Sequence, residues 1–212
     1  MNNNINTIFE HGIIPLLTLD DISYADSVAN ALLEGGIPCV EVAYRTNAAQ
    51  QGIAYLRRNY PEIIVGAGTV TNTDQAASAI DAGAAFLVSP GFDDEVVTYS
   101  LDNNTPIIPG VFTPSEVQHA MSYGLTYLKL FPAITLGLDY IRSLAGPFIN
   151  AKYMVTGGIN SENYLDFLKD DHVFACSGSW LLPSALVRAH NTVELTRLIR
   201  DAKEGALLLR NS

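Results

Sequence analysis

The sequence predicts a (β/α)8 barrel, and three observations carry that prediction. Short apolar runs of strand length alternate with longer runs of helical period, a pattern that calls for a parallel sheet covered by helices. The alternation repeats eight times. No linker, low-complexity stretch or change of composition interrupts it, so residues 1–212 read as a single domain. A doubly wound open sheet is the competing architecture, but it usually has fewer strands. The chain is shorter than the roughly 250 residues usual for barrels, so its loops must be short.

A short helix over 2–11 precedes the first unit. Strand one is Ile13–Leu19, and Asp20 or Asp21 can cap a helix that runs to Leu33 and stops at Gly35-Gly36. Val40–Tyr44 is strand two, and its helix, over 47–59, ends before Pro61. Ile63–Val70 is strand three, with a helix opening at Asn72 or Thr73 and closing before Gly83. Ala85–Ser89 is strand four, followed by a helix over 93–102. Strand five is Pro106–Val111. Thr113-Pro114-Ser115-Glu116 then supplies a Thr N-cap, a proline in the first turn and a glutamate three residues after the cap. Strand six runs through Tyr127-Leu128-Lys129-Leu130-Phe131 and is stopped by Pro132, with a helix over 138–145. Lys152–Thr156 and Val173–Ser177 are strands seven and eight, separated by a helix from Ser161 to Lys169, and the tail is helical.

Hydrophobic residues make up 48% of the chain and charged ones only 16%, so much of it should be interior or interface. The net charge of −10 argues against nucleic acid and anionic membranes as partners, since both reward basic patches. A phosphorylated metabolite can still bind an acidic protein through a local cluster of backbone amides. Cys39 and Cys176 lie in apolar strands, outside any Cys-x-x-Cys or Cys/His cluster, and read as buried reduced thiols. The first residues lack a basic region with an apolar core, and no apolar run reaches the roughly 18 residues of a membrane span. No signal peptide and a cytoplasmic location are therefore expected.

Barrels carry their reactive groups at the C-terminal ends of the strands. Walking those ends yields Glu41, Arg45, Thr69, Pro90, Thr113, Lys129, Phe131, Thr156-Gly157-Gly158 and Gly178-Ser179. Period-two alternation puts Val40, Val42 and Tyr44 on one face of strand two and Glu41, Ala43 and Arg45 on the other. On strand six, Leu128 and Leu130 share a face while Tyr127, Lys129 and Phe131 share the opposite one. The apolar sets suit the helical layer, so the charged sets point into the barrel. Of four lysines, only Lys129 is placed to do so. A desolvated ammonium is costly. Either Lys129 is an edge lysine that reaches water, or it is an amine held for attack on a carbonyl. Glu41, Arg45 and Lys129 together are either an ion network that fills the barrel or a functional site.

Gly157-Gly158 follows strand seven and Gly178-Ser179 follows strand eight. The loops after these two strands often bind phosphate in barrels, and glycine permits close backbone approach. Both could instead be ordinary turn glycines, but their joint occurrence favours a phosphate pocket. Other signals are weak. Gly66-Ala67-Gly68 resembles the start of a dinucleotide fingerprint, but Thr71 stands where the third glycine belongs, and a tight turn explains it better. His11, His119, His172 and His190 have no metal-ligand spacing and read as surface or packing residues. No Gly-x-Ser-x-Gly elbow points to a serine hydrolase.

Glu41-Val-Ala-Tyr-Arg45-Thr46, Gly66-Ala-Gly-Thr69-Val70, Ser89-Pro-Gly91, Pro109-Gly-Val-Phe-Thr113-Pro-Ser-Glu116, Lys129-Leu-Phe-Pro132, Thr156-Gly-Gly-Ile159 and Gly178-Ser-Trp180 occur in this order. The set resembles the 2-keto-3-deoxy-6-phosphogluconate (KDPG) and 4-hydroxy-2-oxoglutarate (KHG) aldolase family from about Gly12 to Gly205. The resemblance implies a class I aldolase acting on a phosphorylated keto acid, on a (β/α)8 barrel, assembled as a homotrimer and using no metal or other cofactor. It implies Lys129 as the Schiff-base lysine and Glu41 as the general acid/base. Arg45 and Thr69 would bind the substrate carboxylate, and Pro90, Phe131 and Thr156 would line the pocket. Gly157, Gly158, Gly178 and Ser179 would hold the phosphate.

The chain departs from the family pattern in three places. Ala43-Tyr44 stands where Thr-Leu is frequent. Ile134 stands where Glu is frequent, with Gly137-Leu138 in place of a double glycine. Ser177 stands at the first position of a frequent Gly-Gly-Ser-Trp. The alternatives are a 6-phosphogalactonate aldolase, where Asn-Ser tends to replace Arg45-Thr46, a phosphate-binding isomerase or synthase barrel, and a non-enzymatic binding barrel.

Overall fold

A computed structural model describes residues 11–210 of the chain. The helix expected over 2–11 therefore lies, apart from His11, outside the described residues. Nine strands form one sheet in the order β5-β4-β3-β2-β1-β9-β8-β7-β6, and every pairing is parallel. The strands are β1 Ile13–Leu17, β2 Cys39–Ala43, β3 Ile64–Gly68, β4 Leu87–Val88, β5 Ile107–Ile108, β6 Gly110–Val111, β7 Tyr127–Leu130, β8 Lys152–Thr156 and β9 Val173–Gly178. All five residues of β1, and all five of β2, are buried, because one face lines the barrel and the other meets helices.

The ninth strand comes from Pro109. The sequence predicts one strand over Pro106–Val111, and the structure divides it. Ile107 and Ile108 pair with Leu87 and Val88, while Gly110 and Val111 pair with Lys129 and Leu130. Pro109 has no N–H to give to a ladder, so an uninterrupted strand cannot run through it. Its carbonyl accepts the Lys129 N–H at 2.9 Å, and the ring of strands closes at this bend. Eight barrel positions remain, with the fifth bent.

The helices are α1 Ala25–Gly35, α2 Ala49–Asn59, α3 Thr73–Asp81, α4 Asp94–Asp102, α5 Pro114–Ser122, α6 Ala133–Ala145, α7 Tyr164–Leu168, α8 Ser184–Arg188 and α9 Thr192–Arg210. Their starts are written in local chemistry. Asn72 and Asp93 accept N–H groups three residues on, and Thr113 and Glu116 complete a capping box. Asp21 caps a short 3-10 turn, Ile22–Tyr24, that leads into α1.

Two helices differ from expectation. The sequence places a helix over 138–145, but α6 starts at Ala133 and is broken at Gly137 (φ 70°, ψ 178°), so its first turn docks separately. In that turn the Ile134 N–H donates to the Gly157 carbonyl at 3.0 Å. α7 begins three residues later than predicted. The Asn160 N–H donates to Asn163 Oδ1, and the Glu162 N–H donates to Asn160 Oδ1, which holds 160–163 as a turn in competition with helix.

Aliphatic side chains fill the space between sheet and helices, and α9 packs on α1 where Gly35 admits Ile199. Burial pushes the Cys39 and Cys176 thiols well above the ordinary thiol range, as expected for unreactive core residues. No helix among the described residues is long and apolar enough to cross a membrane.

Candidate active site

Three strands converge on one buried cluster. Glu41 of β2 has no exposed surface, Lys129 of β7 is 4% exposed, and Ser177 of β9 is fully buried. Lys129 Nζ lies 3.7 Å from Glu41 Oε1, and Ser177 Oγ donates to Glu41 Oε2 at 3.0 Å. Glu41 Oε1 accepts no hydrogen bond among the described residues. The Phe131 ring centroid is 5.5 Å from Lys129 Nζ. Alternation on β2 and β7 therefore yields the correct inward faces, and it is barrel closure that sets the two side chains against each other.

Glu41 fits because β3 ends in glycine. A Cβ at Gly68 would lie 2.5 Å from Glu41 Cγ, inside van der Waals contact. One layer lower on the same face, Gly66 makes room for the Phe86 ring. The Gly-Ala-Gly run is thus more than a turn: its two glycines leave one layer for an aromatic ring and the next for a carboxylate.

Around this centre the remaining predicted residues fall into three groups. Arg45 is exposed at the end of β2, and its Nε donates to Thr69 Oγ1 at 3.2 Å. Thr69 has φ 58°, a left-handed conformation that costs a β-branched residue about 1–3 kcal/mol. Such strain is often retained at functional positions. Pro90 is half-buried, with its carbonyl packed against Gly110, the register partner of Lys129. Thr156 is buried, and its hydroxyl has no hydrogen-bond partner among the described residues. Its position on β8 pairs with Ser177 on β9.

Gly157 and Gly158 both adopt left-handed φ, 91° and 81°, which glycine alone takes without strain. A Cβ at Gly157 would meet Phe131 Cδ2 at 3.1 Å, so the loop lies against the wall beside Lys129. Gly178 is buried at the end of the adjacent strand, its α-carbon against the Trp180 ring, and Ser179 is exposed. The two loops are therefore neighbours, as predicted. The helices that follow them, α7 and α8, have five residues each and start at Tyr164 and Ser184, so the loops themselves carry the candidate phosphate groups.

Three residues at the site were given no role from sequence, although Ile134 and Ser177 stood out there as departures from the family pattern. Ser177 read as ordinary strand and Gly68 as turn. Ile134, 52% exposed, packs against Gly158 from the first turn of α6. The available signal for Ser177 was its place in an apolar strand beside Gly178, where a hydroxyl needs a partner. Among the described residues, no group of three or more His, Cys, Asp or Glu could hold a metal ion.

A sequence model of the family described as KDPG and KHG aldolase matches residues 5–198. The chain belongs to that family. As a KDPG/KHG aldolase it is a carbon–carbon lyase. It is 39% identical over 197 residues to a 2-dehydro-3-deoxy-phosphogluconate aldolase from Treponema pallidum, covering 91% of this chain and 94% of the relative. It is 38% identical over 197 residues to the KHG/KDPG aldolase of Escherichia coli K12, covering 92% of each. A crystal structure of KDPG aldolase from Legionella pneumophila superposes with a TM-score of 0.91 at 32% identity, covering 95% of this aldolase and 98% of that chain. That structure holds pyruvate captured at low pH as a covalent carbinolamine intermediate.

Proposed function

We propose that this aldolase works through an imine on Lys129, cleaving KDPG to pyruvate and D-glyceraldehyde 3-phosphate, and KHG to pyruvate and glyoxylate. The observation that carries the reading is a single inward lysine, 4% exposed, at the C-terminal end of a barrel strand and facing a fully buried glutamate. The covalent carbinolamine of pyruvate in the Legionella relative supports the same chemistry.

The steps follow from the groups present. The neutral Lys129 amine adds to the C2 ketone, and loss of water leaves a protonated imine, which is an electron sink. Glu41, directly or through a water, takes the proton of the C4 hydroxyl. The C3–C4 bond breaks, its electron pair forms the enamine, and the aldehyde departs. Protonation at C3 and hydrolysis release pyruvate and restore the amine. Arg45 would clamp the keto-acid carboxylate, since its planar fork matches two oxygens, with Thr69 holding its Nε. Pro90, Phe131 and Thr156 would line the pocket. Gly157, Gly158, Gly178 and Ser179 would receive the phosphate through a backbone able to approach closely.

Borohydride reduction in the presence of pyruvate tests the proposal. It should add the mass of a reduced pyruvate imine to the peptide containing Lys129. A peptide without that adduct would overturn the imine mechanism. Family resemblance is also the ground for proposing a homotrimer; a mass in solution other than three chains would remove it.

A further inference from the structure

We propose that Ser177 is a positioning residue for Glu41, acting on proton transfer and not on imine formation. The proposal rests on the class I reading above. Ser177 and Glu41 are 136 residues apart and sit on strands separated by β1, yet both are fully buried and joined by a 3.0 Å hydrogen bond. A carboxylate with two free oxygens can rotate and present either. Here Oε2 is held by the Ser177 hydroxyl, while Oε1 is left without a hydrogen bond and points toward Lys129 Nζ. Gly68 admits the side chain closely from the β3 side, so the carboxylate is fixed from two directions.

The serine thus supplies an oriented donor that divides the carboxylate into a bound oxygen and a free one facing the lysine.

The reaction that reads this out needs no aldehyde. In the pyruvate imine, Glu41 Oε1 takes a proton from C3. The C–H bond breaks and its electron pair forms the C2–C3 double bond of the enamine, neutralising the imine nitrogen. In heavy water the captured proton exchanges with solvent, and a deuteron returns to C3. Imine formation itself uses the Lys129 amine. A residue that only orients Glu41 should slow deuterium uptake without reducing imine.

The experiment compares the wild-type chain with Ser177→Ala and Ser177→Gly. Two quantities are measured: the pyruvate adduct trapped by borohydride, and deuterium entry into the pyruvate methyl group followed by NMR. Both variants should trap adduct like the wild type while exchanging about tenfold more slowly, the scale set by one hydrogen bond to a charged group. Exchange as fast as in the wild type would overturn the proposal, and so would a loss of exchange matched by an equal loss of trapping. A wild-type chain that traps no adduct would fail the class I reading itself, and this inference with it.

Discussion

Two carboxylates at opposite ends of the barrel differ in how completely they are satisfied. Asp170 precedes β9, at the N-terminal end of the strands, with its side chain 7% exposed. It accepts the His172 N–H at 3.1 Å, the Arg142 Nε at 3.0 Å and the His172 ring at 3.1 Å. Burial opposes its ionisation, but these donors prevail and hold its carboxyl below the ordinary range. Glu41 is more deeply buried and has less: one hydroxyl on one oxygen, and a lysine at 3.7 Å on the other. The saturated carboxylate ties α6 to the loop before β9, and the under-satisfied one sits among the groups proposed for chemistry. A buried carboxyl with spare bonding capacity is costly to stability, and such groups cluster at functional sites.

Removing Lys129 should produce the largest effect. Lys129→Ala should abolish aldol cleavage by several orders of magnitude, as measured by coupled pyruvate release. It should also leave Glu41 buried without its counter-charge, a change that typically costs about 3–5 kcal/mol and should lower the melting temperature. Wild-type stability in that variant would mean that the pair is less tightly coupled than its burial implies.

Gly68→Ala should come next. The added Cβ would overlap Glu41 Oε1, Cγ and Cδ, so the carboxylate must leave its present position. Aldol turnover should fall by at least about tenfold, the low end of what a displaced acid/base group costs. The borohydride adduct with pyruvate should persist. Unchanged turnover would show that Glu41 need not hold this position.

The Asp170 end should respond to pH and leave catalysis alone. A carboxyl held below its ordinary value of 3.8 contributes stability above that pH and loses it as the pH falls through the lowered value. Asp170→Asn should therefore melt earlier than the wild type at neutral pH, and the difference should close in strong acid. Its kcat should match the wild type. A stability difference that persisted in acid would assign the effect to packing and not to charge.

The inward faces of β2 and β7 were legible because a strand repeats every two residues, and the apolar residues flanking Glu41 and Lys129 claimed the helical side. Gly157 and Gly158 after β8 were legible because left-handed backbone leaves few other choices of residue. The bend at Pro109 and the break at Gly137 were harder to read. A proline in an apolar run and a glycine beside a helical pattern each fit more than one backbone path, and contacts with neighbouring strands and loops made the choice. For the Ser177–Glu41 bond the sequence offered only a hydroxyl in an apolar strand that needs a partner, and nothing near Ser177 named Glu41 as that partner.

The order of elements, their caps and the direction of each strand side chain follow from interactions within a few residues, which the chain carries wherever it lies. Whether Lys129 reaches water or faces Glu41 depends on strands 88 positions apart in sequence. Whether Gly68 is a turn or a seat for a carboxylate depends on β2 lying beside β3 in one particular register. Closing the barrel brings β2, β7 and β9 around a shared interior, and only then does a serine in one strand become the hydrogen-bond donor for a glutamate in another.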